Sequence, residues 1–286
     1  MNFLLVLAAV VIEFSLAGVV RLRSPHWSAA WTRRFGAACE GTALCRGWLG
    51  ALLLLGLPLL AASLVFGWLW EHARLVHHLA SLGLLVWMLG PTDLKREIVE
   101  YRAAVGDAAS EAPAFTATTA GIDLGIPTGD EGFDACRGEL AAIALAAERA
   151  WFAPLAVFFV LGPVGVLAYR LAVSLEHAPE VPADIARHVA RVHEALAFLP
   201  ARVTALCLGI AGTLVPVLEG AAAAGFFAWG ASARLVARSA LAATDYGRVE
   251  QGPEQATARR RVDQMEALVG RTLNVWLALF ALLALL

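Results

Sequence analysis

Charge is what this sequence has least of. Only 16% of its 286 residues are Asp, Glu, Lys or Arg, while 59% are hydrophobic. A soluble domain carries about a quarter charged residues, so a water-facing globule is excluded. A basic excess is missing too. The 22 Lys and Arg stand against 24 Asp and Glu, for a net charge of −2, and no basic stripe with exposed aromatics offers itself to nucleic acid. Cysteine is sparse: Cys39, Cys45, Cys136 and Cys207 show no CxxC spacing, which argues against a disulfide framework and a zinc site. Cys207 lies in an apolar run and reads as a small hydrophobe. Signature motifs of chemistry are absent as well. There is no GxxxxGK[ST], HExxH or GxSxG, so P-loop, zincin and nucleophile-elbow enzymes are set aside.

What is present is hydrophobic length. Several runs approach the ~20 residues that cross a hydrocarbon core, and the chain reads as an all-α integral membrane protein whose first partner is the lipid bilayer. Residues 1–20 carry one acid, Glu13. They lack the basic n-region and cleavage site of a signal peptide and read as a retained span. Residues 47–70 are the clearest span, with Trp48, Trp68 and Trp70 at the ends like an interfacial belt. A short turn from Glu71 to Arg74 leads to a return over 75–90, and 272–286 form the last span. Two segments are ambiguous. Residues 151–175 are interrupted at Gly162-Pro163, and residues 201–229 break near Pro216 and contain Glu219. Each is either a kinked span or a re-entrant hairpin, giving four to six transmembrane segments.

Arginines orient the chain. Arg21, Arg23, Arg33, Arg34, Arg46, Lys95, Arg96, Arg102, Arg137, Arg149 and the Arg259-Arg260-Arg261 run fall on one side, which the positive-inside rule makes cytoplasmic. Five regions follow: N-terminal spans over 1–90, a cytoplasmic helical and loop region over 91–149, a hydrophobic core over 151–229, cytoplasmic helices over 230–271, and the final span over 272–286. Amphipathic helices are expected in the polar parts. One stripe is Leu94, Ile98, Tyr101 and Val105; a second is Ile185, Val189, Val192, Leu196 and Leu199; a third helix covers 254–271. The glycine-rich loop GIDLGIPTGDEG over 121–132 holds three acids, Asp123, Asp130 and Glu131, which repel a phosphate unless a cation intervenes. His77-His78 point about 100° apart on a helix, a poor arrangement for sharing a metal. Glu13 and Glu219 are isolated acids at membrane depth, where a proton relay needs a chain.

The segments WFAPLAVFFVLGPVGVLAYRLAVSL and LAFLPARVTALCLGIAG, with Ala153-Pro154, the Gly-Pro break, Tyr169-Arg170 and Leu199-Pro200-Ala201-Arg202 in order, resemble the CobD/CbiB–AmpE superfamily of bacterial inner-membrane proteins. Its CobD/CbiB branch joins an aminoalcohol to a corrinoid acid with ATP and Mg²⁺. The ENxxDGxxAP pattern of that branch reads here Leu145, Ala146, Arg149, Ala150, Ala153 and Pro154. Its DDxxNxLPAR pattern reads His193, Glu194, Ala197, Leu199, Pro200, Ala201 and Arg202. A Mg²⁺–ATP ligase needs carboxylates to hold metal on phosphates, so most of the ligase chemistry is missing. The other branch, AmpE, keeps an arginine at the position of Arg149. The resemblance therefore implies an accessory or signalling protein tied to an anhydro-muropeptide amidase, cell-wall sensing and β-lactamase regulation, with the corrinoid ligase as the alternative. A hairpin at 151–175 would gather Arg149, Tyr169, Arg170, His193, Glu194 and Arg202 around an anionic ligand: a small molecule, a lipid headgroup or a nucleotide. The planar fork of arginine suits phosphate and carboxylate. The competing reading makes these arginines structural anchors that pair with Glu148, Glu176 and Glu194. No catalytic residue or metal ligand is assigned, and the sequence names no cofactor and leaves an enzymatic activity open.

Overall fold

The computed structural model describes residues 2–15, 30–35, 47–89, 94, 96, 98–99, 131–176, 178–244 and 254–286. These are overwhelmingly helical and contain no strand, which establishes the all-α class. The helices are α1 (Asn2–Ser15), α2 (Gly47–His72), α3 (Arg74–Met88), α4 (Glu131–Ala147), a π-helical turn (Glu148–Phe152), α5 (Ala153–Glu176), α6 (Ala183–Ala211), α7 (Leu214–Ala224), α8 (Ser232–Ala243) and α9 (Glu254–Leu285). Four stretches are long and apolar enough to cross a membrane: Gly47–His72, Gly138–Glu176, Ala183–Ala211 and Arg259–Leu285. The chain is a multi-pass membrane protein. Most of the glycine-rich loop, over 121–130, lies outside the described residues, as do Tyr101 and Val105 of the first amphipathic stripe.

The chain forms two compact units, each built from separated stretches: 1–91 with 154–197, and 92–153 with 198–286. In the first, α3 packs on α1 and on α2. The core is made by Ala51, Leu54 and Leu55 of α2, Leu171, Ala172 and Leu175 of α5, and Ile185 and Val189 of α6. The Trp31 indole donates to the Leu54 carbonyl at 2.9 Å, and the Asp184 carboxylate accepts the Gly47 N–H that opens α2 at 2.6 Å, satisfying one of the orphan donors of a helix start. Beyond Leu55, α2 turns Leu57, Leu60, Leu64 and Trp68 outward, an apolar surface suited to lipid.

The amphipathic stripe on α6 is only half an inward face. Ile185 and Val189 are buried, whereas Val192 and Leu199 are exposed. An exposed apolar residue is no fault where the solvent is hydrocarbon, so the hydrophobic pattern ceases to report the core there. At the C-terminus, the expected amphipathic helix and the expected short final span are one continuous 32-residue helix, α9.

Both ambiguous hydrophobic segments fold back on themselves. In the first unit, a Cβ placed on Gly165 would lie 3.2 Å from Val157 Cγ1, although residues eight apart in a straight helix are separated by about 12 Å. The reversal is at Gly162, whose φ of 70° and ψ of −158° fall in a region open essentially only to glycine. Pro163 then opens the second limb with its φ already fixed for a helix. The Asn2 side chain donates to the Phe159 carbonyl near the tip at 3.1 Å, and Val160 and Leu161 are exposed.

In the second unit the reversal is at Gly212-Thr213, where Thr213 is extended, rather than at Pro216. A Cβ on Gly209 would lie 2.9 Å from Leu214 Cδ1 and 3.4 Å from Val217 Cγ1, which again brings residues eight apart into contact. Pro216 is the third residue of α7. Its missing N–H falls among the unbonded donors of the first turn, and the ladder begins with Val217 donating to Thr213 at 3.3 Å. Helix α8 lies against both limbs, with Ala205, Ala221, Ala224 and Leu235 as a core of mostly small residues, the composition that lets helices approach closely in lipid.

Candidate functional site

Of the six residues expected to gather, four belong to the first unit: Tyr169, Arg170, His193 and Glu194. Arg149 and Arg202 belong to the second. In the first unit the structure brings Tyr169 and His193 together. Their rings meet edge to face with centroids 5.5 Å apart, and Tyr169 is fully buried. The His193 Nδ1 donates to Glu176 Oε2 at 2.5 Å, a charge-assisted bond that ties α6 to the end of α5. Glu194 is half-buried on α6. Arg170 is buried and its Nε donates to the Met88 carbonyl. A cation there satisfies one of the last carbonyls of α3 and lies at the negative end of that helix dipole.

Arg202 has the corresponding role in the second unit. Its Nε donates to the Phe226 carbonyl at 2.9 Å and its Nη2 to the Ala228 carbonyl at 2.7 Å. The Nη1 reaches the Ser232 hydroxyl at 2.6 Å and the Phe198 carbonyl at 3.0 Å, and the guanidinium stacks over the Phe198 ring at 3.6 Å. This side chain joins the start of one limb to the exit of the other. Phe226 and Ala228 lie in the turn that follows the left-handed Gly225 ending α7. Both buried arginines thus satisfy backbone carbonyls inside apolar surroundings, at the end of α3 and just after α7, where an unmade bond is costly. Arg149 has a different setting: it is half-buried on the π-helical turn.

That turn is the least regular point of the long apolar stretch. The Ala153 N–H bonds to the Glu148 carbonyl, five residues back. Pro154 follows directly. Lacking an N–H, it cannot bond the carbonyl of Ala150 and crowds it. Single π-turns of this kind recur at functional sites. The turn places Glu148 inside the second unit at 5% exposure, with neither carboxyl oxygen completing a hydrogen bond. The Thr204 hydroxyl, one residue pair along α6 from Arg202, stands close enough to act on the carboxyl. It accepts the Trp276 indole N–H of α9 at 3.2 Å. From sequence, Glu148 reads only as a partner for arginine. The insertion of one residue into a helix leaves no mark on hydrophobic periodicity, although the acid followed six residues later by proline was a visible cue.

The two isolated acids differ from it. Glu13 is half-buried near the end of α1, and Glu219 is exposed on α7. His77 and His78 sit with Trp70 and Phe66 at the α2–α3 turn, and His77 Nδ1 engages the Phe66 carbonyl at 3.1 Å. No known protein family, characterised protein or solved structure matches this chain.

Proposed function

We propose that the protein is an AmpE-like accessory or signalling protein of the bacterial inner membrane, with its main loops in the cytoplasm and a link to cell-wall sensing and β-lactamase regulation. The observation that supports this reading is the double fold-back. The sequence resemblance runs over 151–175 and 196–212; the first folds back at Gly162 and the second leads into the reversal at Gly212-Thr213, and broken helices at membrane depth are tolerated where protein or a cavity covers them. The ligase alternative is disfavoured by its own chemistry. The acidic positions of the ligase patterns read Leu145, Arg149, His193 and Glu194 here, with Ala146 at the amide position, so most of the carboxylates are missing.

The ligand in this reading is anionic, held at the cytoplasmic membrane surface. Arg149, half-buried on the π-helical turn, is the cation assigned to it. Purified protein in detergent is heated with inorganic phosphate, ATP or an anhydro-muropeptide. A ligand that binds only the folded state raises the melting temperature. At least one of the three is expected to do so by several degrees, and Arg149→Gln is expected to fold but lose that response. No stabilisation by any of them, or its retention in the variant, overturns the reading.

A further inference from the structure

Six buried side-chain atoms lack a hydrogen bond among the described residues, and two of them are the oxygens of one carboxyl group, Glu148. Its neighbours in sequence, Leu145, Ala147, Ala150, Trp151 and Phe152, are all buried apolar residues. Glu148 itself is only 5% exposed, so the folded chain keeps water from the group. An ionised carboxylate without a partner in such a place is among the most costly arrangements a fold can contain.

The charged groups nearby do not remove the cost. Of the helices packed on α4, α8 carries Arg234 and Arg238, and α9 carries Glu254, Arg259, Arg260, Arg261, Asp263, Glu266 and Arg271. Arg149 follows Glu148 directly but belongs to another face of the turn, about 90 to 100° round the axis. None of these is among the groups acting on the carboxyl, which are its burial and the Thr204 hydroxyl. The Cys207 thiol senses it, three residues beyond Thr204 and so on the same face of α6. The Thr204 hydroxyl, whose oxygen also receives the Trp276 N–H, and this thiol are uncharged polar neighbours.

We propose that Glu148 is a buried proton-binding site, occupied at neutral pH, with the carboxylic acid O–H and the Thr204 hydroxyl as hydrogen-bond partners. A protonated carboxyl has both a donor and acceptor capacity, which suits a hydroxyl whose oxygen already receives the Trp276 N–H. The π-turn is the device that aims the group inward: one extra residue rotates Glu148 relative to the regular helix before it. This site is independent of the anionic ligand assigned to Arg149.

Infrared spectroscopy of the reconstituted protein in D₂O at neutral pH reads the proton directly. The wild type is expected to show a carboxylic-acid C=O band, since exposed acids are ionised there, and Glu148→Gln is expected to lose it while melting within a few degrees of the wild type. Thr204→Val leaves the acid in place and is expected to move the band to higher frequency by removing its hydrogen-bond partner. That variant decides the matter if the glutamine variant fails to fold. Absence of the band in the wild type overturns the proposal, as does a band unchanged in both variants. A carboxylate signal accompanied by stabilisation on adding Na⁺ or K⁺ also overturns it, in favour of a small cation at the same group.

Discussion

The hairpin that reverses at Gly162 and the hairpin that reverses at Gly212 solve one problem by different means. Each inserts two short helical limbs into apolar surroundings and must close its mouth and turn its tip without leaving backbone groups open. Each carries a buried arginine on backbone carbonyls: Arg170 anchors its limb to the carbonyl end of α3, and Arg202 closes the mouth of the second hairpin on the carbonyls after α7. The tips differ. At Gly162 the demand is conformational. Its φ is positive and its ψ near the extended limit, yet a Cβ there would meet nothing within 4 Å. At Gly212 the demand is spatial. A Cβ there would come within 2.7 Å of the Ala243 carbonyl and 2.9 Å of the Ala243 Cβ, with no positive φ involved. Glycine is required twice for unrelated reasons, and inspection of the sequence alone does not separate them.

The pairing of the two hairpins is most strongly tested by topology, where the outcome is all or none. With both segments re-entrant, a single cysteine at position 187, exposed two residues beyond the buried Ile185, is expected to react only with reagent from the cytoplasm, as are positions 130 and 250, while position 73 reacts from outside. Outside labelling at 187 breaks the comparison by making the first segment a full span.

Next in size is the arginine clamp. Arg202→Met removes four hydrogen bonds at once and strands carbonyls in apolar surroundings. Stability in detergent is expected to fall by about 3–5 kcal/mol. Arg202→Lys should recover only part of it, because one ammonium cannot reproduce the planar fork. Equal stability of the lysine variant and the wild type would show that charge, not geometry, holds the mouth closed.

The tips come third. Gly162→Ala and Gly162→Asn are each expected to cost about 1–3 kcal/mol. Asparagine gives no relief, since it tolerates the left-handed helical region but not a ψ near −158°. Gly212→Ala is expected to cost a similar ~1–3 kcal/mol through overpacking, and Ala243→Gly in the same chain should recover part of that loss. No neighbouring truncation should rescue Gly162→Ala. Double-mutant unfolding in detergent separates strain from crowding; rescue at 162, or none at 212, would reverse the assignment.

The smallest effect is at Pro216. In the first turn of α7 its lack of an N–H takes no bond from the ladder. Pro216→Ala should therefore change stability by no more than about 0.5 kcal/mol. A loss of several times that would return the break to the proline.

Much of this was legible in the sequence. The scarcity of charge and the length of the apolar runs determined an all-α membrane protein, because only helices and closed barrels satisfy the backbone in lipid and no alternating strand pattern competes. Gly162-Pro163 marked its own reversal, since that dipeptide both permits the special backbone and starts the next limb. Other features were decided only by tertiary structure. Whether Gly212 or Pro216 is the turn depends on the proximity of Ala243, thirty-one residues away in the chain. The sequence makes Arg170 and Arg202 candidate ligands; their carbonyl partners at Met88, Phe226 and Ala228 come from elements that no local pattern connects to them. The isolation of Glu148 is likewise a property of what surrounds it. Sequence states which groups carry charge or hydrogen-bonding capacity, but whether each finds a partner depends on distances that only the folded chain sets.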